Sequence, residues 1–174
     1  YKGYVETREI LEEGFSNRQI AVLVKEGYLE NVTHGHYWLS GGQCKKPQDY
    51  KCIEVCLSNP KAVICMDSSL YYQKVSTKEP EYLSVATERT DRSILKMNFP
   101  TRRHYFSGRN FQIGQRKRVT EFGSYNIYDV ERSLCDIRRL EPENSFEIMD
   151  YVKESEQQYK RLMKYAELFG IKQF

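Results

Sequence analysis

The sequence has no apolar run near the ~18 residues that a membrane-spanning helix needs. No signal-peptide pattern opens it. It has no Gly-rich phosphate loop, no G-x-S-x-G and no H-E-x-x-H, which removes the common nucleotide-hydrolysing, serine-hydrolase and zinc-protease patterns. There are three His, and they are not spaced with the five Cys as a metal set would be. The Cys count is odd and no C-x-x-C pair occurs, so the expectation is reduced thiols in a cytoplasmic protein, with no metal and no cofactor. Low-complexity tracts are absent too. The chain begins at Tyr1 rather than Met, which implies a segment before it.

What remains is a globular composition. Hydrophobic residues make up 40% of the chain and aromatics 13%, enough for a real core in one domain, or in a small module plus a medium one. The net charge of +3 is unevenly spread. Residues 1–47 carry six Lys/Arg and six Asp/Glu. Residues 89–118 carry nine basic residues against the single acid Asp91, and residues 119–174 lean acidic. The positive charge is thus concentrated mid-chain.

The N-terminal stretch reads as helix, tight turn, helix, hairpin. "TREILEEG" (7–14) predicts a short helix with Thr7 as its N-cap. Ser16 and Gln19 form an S-x-x-Q capping box, so a second helix starts at Asn17, buries Ile20, Leu23 and Val24, and ends at Gly27. "YLENV" and "HYWL" flank Thr33-His34-Gly35 as a hairpin. This is the order of a winged helix-turn-helix with its first helix missing or truncated. "SGGQCKKPQ" (40–48) reads as a linker, which divides the chain into residues 1–44 and 48–174. Beyond it the pattern predicts helices over "QDYKCIEVCLSN" and 62–75, and a strand over 81–87. Short strands follow at 103–107, 110–114, 118–123 and 125–129, then helices over 130–140, 145–155 and 156–170. The fold class is α+β with a helical C-terminus.

Three groups of residues could carry function. A recognition helix places its first residues in the major groove, and Asn17, Arg18 and Gln19 all have side chains that read base edges, although Gln19 is partly committed to the cap. Lys25, His34 and His36 could meet phosphate or a minor groove. The alternative is that all of these are ordinary solvated residues. The second group is the basic stretch, Arg89, Arg92, Arg102, Arg103, Arg109, Arg116, Lys117 and Arg118 together with Lys96, interleaved with aromatics. It suits nucleic acid or an acidic partner, or else it forms the outer faces of alternating strands. The third group is Asp129, Glu131 and Asp136. Asp129 is a helix cap and Glu131 a favourable first-turn acid, so no catalytic constellation is required and no enzyme is expected.

The stretch from Gly3 to Leu39 resembles the N-terminal winged helix of the AbiEi family, antitoxins of type IV toxin–antitoxin systems in abortive-infection phage resistance. The resemblance rests on Gly3-Tyr4-Val5, Gly14, Leu23-Val24, Gly27, Leu29, Gly35 and Tyr37. A second block, "IYDVERSLCDIRR", is similar to that family's Tyr-Asp-x-Glu-Arg-Thr-x-x-Asp signature, here Tyr128, Asp129, Glu131, Arg132, Ser133 and Asp136, with Ser in place of Thr. "AVICMDSSLYYQKVS" looks like the helix between them. The resemblance implies an autoregulating repressor that binds inverted repeats in double-stranded DNA at its own promoter. It also implies a C-terminal antitoxin domain that counters a nucleotidyltransferase-like toxin without requiring a stable complex, and no membrane partner. Two other readings stay open: a nuclease-like enzyme targeted by the winged helix, and a plain transcriptional regulator.

Overall fold

In the computed structural model, which describes residues 3–41, 45–144 and 155–172, the chain is α+β and builds two sheets. The predicted capping box holds. Ser16 Oγ accepts from the Gln19 N–H, and the Gln19 side chain accepts from the Ser16 N–H at 2.8 Å. Helix α2 (Asn17–Lys25) starts there, preceded by α1 (Thr7–Glu12). Thr7 does not cap α1. Glu6 occupies the cap position, and its N–H donates to Glu9 Oε2 at 2.7 Å. Thr7 instead ties the start of α1 to the hairpin turn, its N–H and hydroxyl both donating to the Gly35 carbonyl.

That hairpin is β2 (Leu29–Thr33) and β3 (His36–Leu39), turning through Gly35 at φ +76°, where a side chain would be strained. A strand not expected from the sequence, β1 (Tyr4–Glu6), pairs antiparallel with β3 and gives the order β1-β3-β2. Val5, Ile10, Ile20 and Leu29 form the small core beneath it, with Leu23, Val24, Tyr37 and Leu39 packed around them.

The second sheet has five strands: β4 (Val63–Ile64), β5 (Leu83–Glu88), β6 (Thr101–Phe106), β7 (Gln115–Thr120) and β8 (Gly123–Tyr128). Their order is β6-β5-β4-β8-β7. Helix α3 (Tyr50–Ser58) brings Cys52, Ile53 and Val55 against one face, where they meet Ile64, Val85, Tyr125 and Ile127. On the other face lie α4 (Met66–Tyr72), α5 (Gly108–Gln112), α6 (Val130–Leu140) and α7 (Glu156–Phe169), around Val63, Phe106, Tyr128, Leu134 and Leu162. Neighbours such as Ile127 and Tyr128 supply opposite faces, as the pleat requires.

Two elements depart from the sequence pattern. Residues 62–75 are not one helix. Val63 and Ile64 form the central strand β4, hydrogen-bonded to β5 on one side and β8 on the other, and the chain turns over at Met66 (φ +55°), the first residue of α4. A short run buried on both faces is as apolar as a buried helix, so periodicity does not separate them. The run 110–114 is not a strand, because most of it belongs to α5. The predicted helix at 145–155 lies outside the described residues except for Ser155, which caps α7 by accepting from the Gln158 N–H.

The expected linker is pinned rather than loose where it is described. Lys46 Nζ lies 2.7 Å from Glu30 Oε1 on β2 and 2.6 Å from Glu54 Oε1 on α3. The same Glu54 oxygen accepts from the Tyr4 hydroxyl at 3.1 Å. Trp38 of β3 packs edgewise on Tyr4 and leans on Phe122 in the β7–β8 turn. Burial drives the Glu54 carboxyl above its usual range, partly offset by Lys46. Lys46 itself is raised, its desolvation outweighed by the hydrogen bonds it donates to two carboxylates.

Candidate nucleic-acid interface

Asn17, Arg18 and Gln19 are exposed on the first turn of α2, and Lys25 is exposed on its last. Gln19 is fully engaged at its side-chain oxygen, which takes bonds from both the Ser16 N–H and hydroxyl. Asn17 and Arg18 therefore form the open part of that turn, one amide and one guanidinium, the groups that pair bidentately with adenine and guanine. His34 is exposed at the hairpin tip. His36 is half-buried, its Nε2 3.7 Å from Glu6 Oε1 and its Nδ1 3.2 Å from the His34 carbonyl. The tip is tied to the start of α1, whereas Asn17 and Arg18 lie past the other end of that helix.

The basic stretch is not one patch. Its strands, β6 and β7, are the opposite edges of the five-stranded sheet, roughly 19 Å apart across four strand spacings. On β6 both arginines are engaged by protein partners, Arg103 largely buried and Arg102 still exposed. Arg103 donates to Thr87 Oγ1 at 2.8 Å and to the Ser93 and Asp91 carbonyls, and lies 3.3 Å from the Asp91 carboxylate. Arg102 stacks 3.9 Å from the Tyr82 ring centre and pairs with Glu141 at 3.0 Å. Asp91 is correspondingly acidic. Its desolvation is outweighed by bonds from Ser93 and Asn59 and by Arg103, which pull it down to about 2. On β7, Arg116, Lys117 and Arg118 are all exposed, and Val119 beside them is 76% exposed. Arg116 reaches within 3.5 Å of Asp129, and Arg118 donates to the Tyr72 carbonyl at 2.9 Å. Arg89, Arg92 and Lys96 are exposed in the segment between β5 and β6, and Arg109 is exposed on α5.

The signature block is structural in its placement. Arg132 is fully buried on α6. Its Nε meets Asp136 Oδ2 at 2.8 Å, its Nη1 donates to the carbonyls of Asn110 and Ile113, and its plane faces Tyr128, Phe169 and Phe106 at 4.3, 4.5 and 5.1 Å. Gly114 makes room for it, since a Cβ there would sit 2.7 Å from the Arg132 Cβ. Asp129 caps α6 as expected, accepting from the Arg132 N–H at 2.9 Å, and also accepts from the Tyr165 hydroxyl at 3.1 Å. Burial raises Asp136 and Glu131, against the pull of Arg132 on the former. Glu131 Oε1 has no hydrogen-bond partner and stands 3.5 Å from Arg161.

The acids do not converge. Asp136 is spent on Arg132, Asp129 on its cap and Tyr165, and no group of three or more His, Cys, Asp or Glu able to hold a metal exists among the described residues. Cys52, Cys56, Cys65 and Cys135 are free and buried, while Cys44 lies outside the described residues. No described helix is long and apolar enough to cross a membrane. No family model matches the chain, and no curated protein does.

Sequence reasoning missed the Tyr4–Glu54–Lys46–Glu30 cluster, because nothing local marks residues that meet only after folding. It also missed a tyrosine-lined cleft beside β7. The fourteen Tyr in the composition were the available signal.

Proposed function

We propose that this protein is a DNA-binding antitoxin of the type IV kind. It represses its own operon through inverted repeats and counters a nucleotidyltransferase-like toxin. The small N-terminal unit acts as a winged helix, with α2 as its recognition helix and the β2–β3 hairpin as its wing. The observation that carries this reading is the open first turn of α2. Asn17 and Arg18 stand exposed on a helix that Ser16 and Gln19 fix firmly at its start. The resemblance of Gly3–Leu39 and of the Tyr128–Asp136 block to AbiEi antitoxins supplies the antitoxin half. The exposed cations of β7 add sequence-independent contact to phosphate, while Asn17 and Arg18 supply specificity.

The test is a gel shift on the protein's own upstream DNA with a salt titration. Asn17→Ala and Arg18→Ala should each lose ~1–3 kcal/mol of discrimination between operator and scrambled DNA. Parent-like binding by both variants would remove α2 as the reader. Co-expression with the product of the neighbouring gene tests the antitoxin half separately.

A further inference from the structure

Beside the exposed cations of β7 lies a cleft of about 530 Å³, walled by the last turn of α4 and the segment after it, by residues just before α3, and by the β7–β8 hairpin. That volume falls in the range of small-molecule sites, about 300–1,000 Å³. Its lining combines three chemistries. Tyr71 and Tyr72 give aromatic faces, set edge to face with ring centres 5.2 Å apart. Lys74 and Arg118 give two cations against the single carboxylate Asp49. Ser76 and Thr77 add hydroxyls.

Four details make this more than a polar dent. Tyr125 lines the cleft, is only 1% exposed, and its hydroxyl faces the Asp49 carboxylate, which adds to burial in raising its pKa. The buried phenol thus holds Asp49, the cleft's one carboxylate, against its wall. Tyr125 and Arg118 are register partners across β8 and β7, so the phenol and the guanidinium rise from the same face of the sheet. Lys74, at the rim, holds a left-handed backbone (φ +62°), unusual for a residue with a side chain. One Arg118 nitrogen is anchored on the Tyr72 carbonyl, which fixes the plane while the rest of the five-donor fork can address a ligand.

We propose that this cleft binds a nucleoside 5′-monophosphate unit, free or at the end of a nucleic-acid strand. The base packs on the Tyr71 and Tyr72 rings. Arg118 and Lys74 hold the phosphate with help from Ser76 and Thr77. Asp49, held in place by the Tyr125 hydroxyl, accepts from the sugar or the base edge. The site does not depend on the DNA-reading role of α2, and operator binding and nucleotide binding are separately measurable.

The test is isothermal titration of the whole protein at low salt with AMP, a 5′-phosphorylated tetra-adenylate, adenosine and inorganic phosphate. AMP or the tetra-adenylate should bind with Kd below ~1 mM, the bottom of the specific range. Whichever of the two binds more tightly identifies the source of the unit. Arg118→Gln should weaken it at least tenfold and Tyr125→Phe severalfold, with both variants retaining the parent's circular dichroism. Lys74→Gln, an exposed change, provides a third reading that does not depend on core packing. Absence of binding by both nucleotides overturns the proposal. So does binding that none of the three variants weakens. Inorganic phosphate binding as tightly as AMP would overturn the nucleoside half.

Discussion

The two edge strands of the large sheet carry similar letters and treat them differently. β6 reads Thr-Arg-Arg-His-Tyr-Phe and β7 reads Gln-Arg-Lys-Arg-Val-Thr. On β6, the segment that follows β5 folds back with Asp91 and Ser93, so Arg103 finishes with a carboxylate, a hydroxyl and two carbonyls. On β7, three consecutive cations stay exposed. Charge in a sequence is thus a supply, and the acceptors brought by neighbouring segments decide how much of it reaches solvent. Arg132 is the extreme of the first kind, its guanidinium wholly inside the protein.

This contrast can be broken by measurement. The largest effect belongs to Arg132→Ala, which strands Asp136 in the core and should cost ~3–5 kcal/mol in denaturant unfolding. A loss below ~1 kcal/mol would mean that the interior pair is not held as described. Next, Arg103→Ala should cost ~1–3 kcal/mol, because the carboxylate and carbonyls of its pocket lose their donor. Arg118→Ala should stay within ~0.5 kcal/mol, as for a surface change. Equal losses at the two sites would erase the distinction between the edges. Third, converting Arg116, Lys117 and Arg118 together to Gln should leave unfolding nearly unchanged but flatten the salt dependence of DNA binding by about 2–3 in slope. The same triple change on the β6 side (Arg102, Arg103 and His104) should do the reverse.

The smallest effect is the share of the pH dependence that His104 on β6 contributes. Burial lowers the pKa of His104, against the pull of Glu141, and its Nε2 has no hydrogen-bond partner. A histidine harder to protonate when folded contributes its full stability above the unfolded value of ~6.5 and loses it as pH falls below that. Between about pH 7 and 5 the parent should therefore lose stability relative to His104→Gln, a comparison in which the raised carboxyls Glu54, Glu131 and Asp136 cancel. A variant that loses more stability than the parent on acidification would reverse the sign.

Local chemistry was legible in the sequence where one residue decides an outcome. Ser16 with Gln19 and Asp129 as a cap both stand where their side chains dictate. Residues whose state depends on distant partners were not legible. Val63 and Ile64 become a strand only because β5 and β8 flank them. Residues 101–118 look like one basic stretch because nothing local reveals that β6 and β7 sit at opposite edges. Of the candidate site, the exposure of Asn17 and Arg18 followed from the cap, whereas the burial of Arg132 required Phe106, Tyr128 and Phe169 to close around it.

The Lys46 contacts have a mechanical consequence. Two adjacent glycines upstream would make this stretch a swivel, but an ammonium shared between β2 and α3 makes it a rivet. The small sheet and the large one are thereby tied to each other. If α2 and β7 meet DNA as proposed, that tie sets the bearing between them, and the molecule would gauge distance along its partner as calipers do.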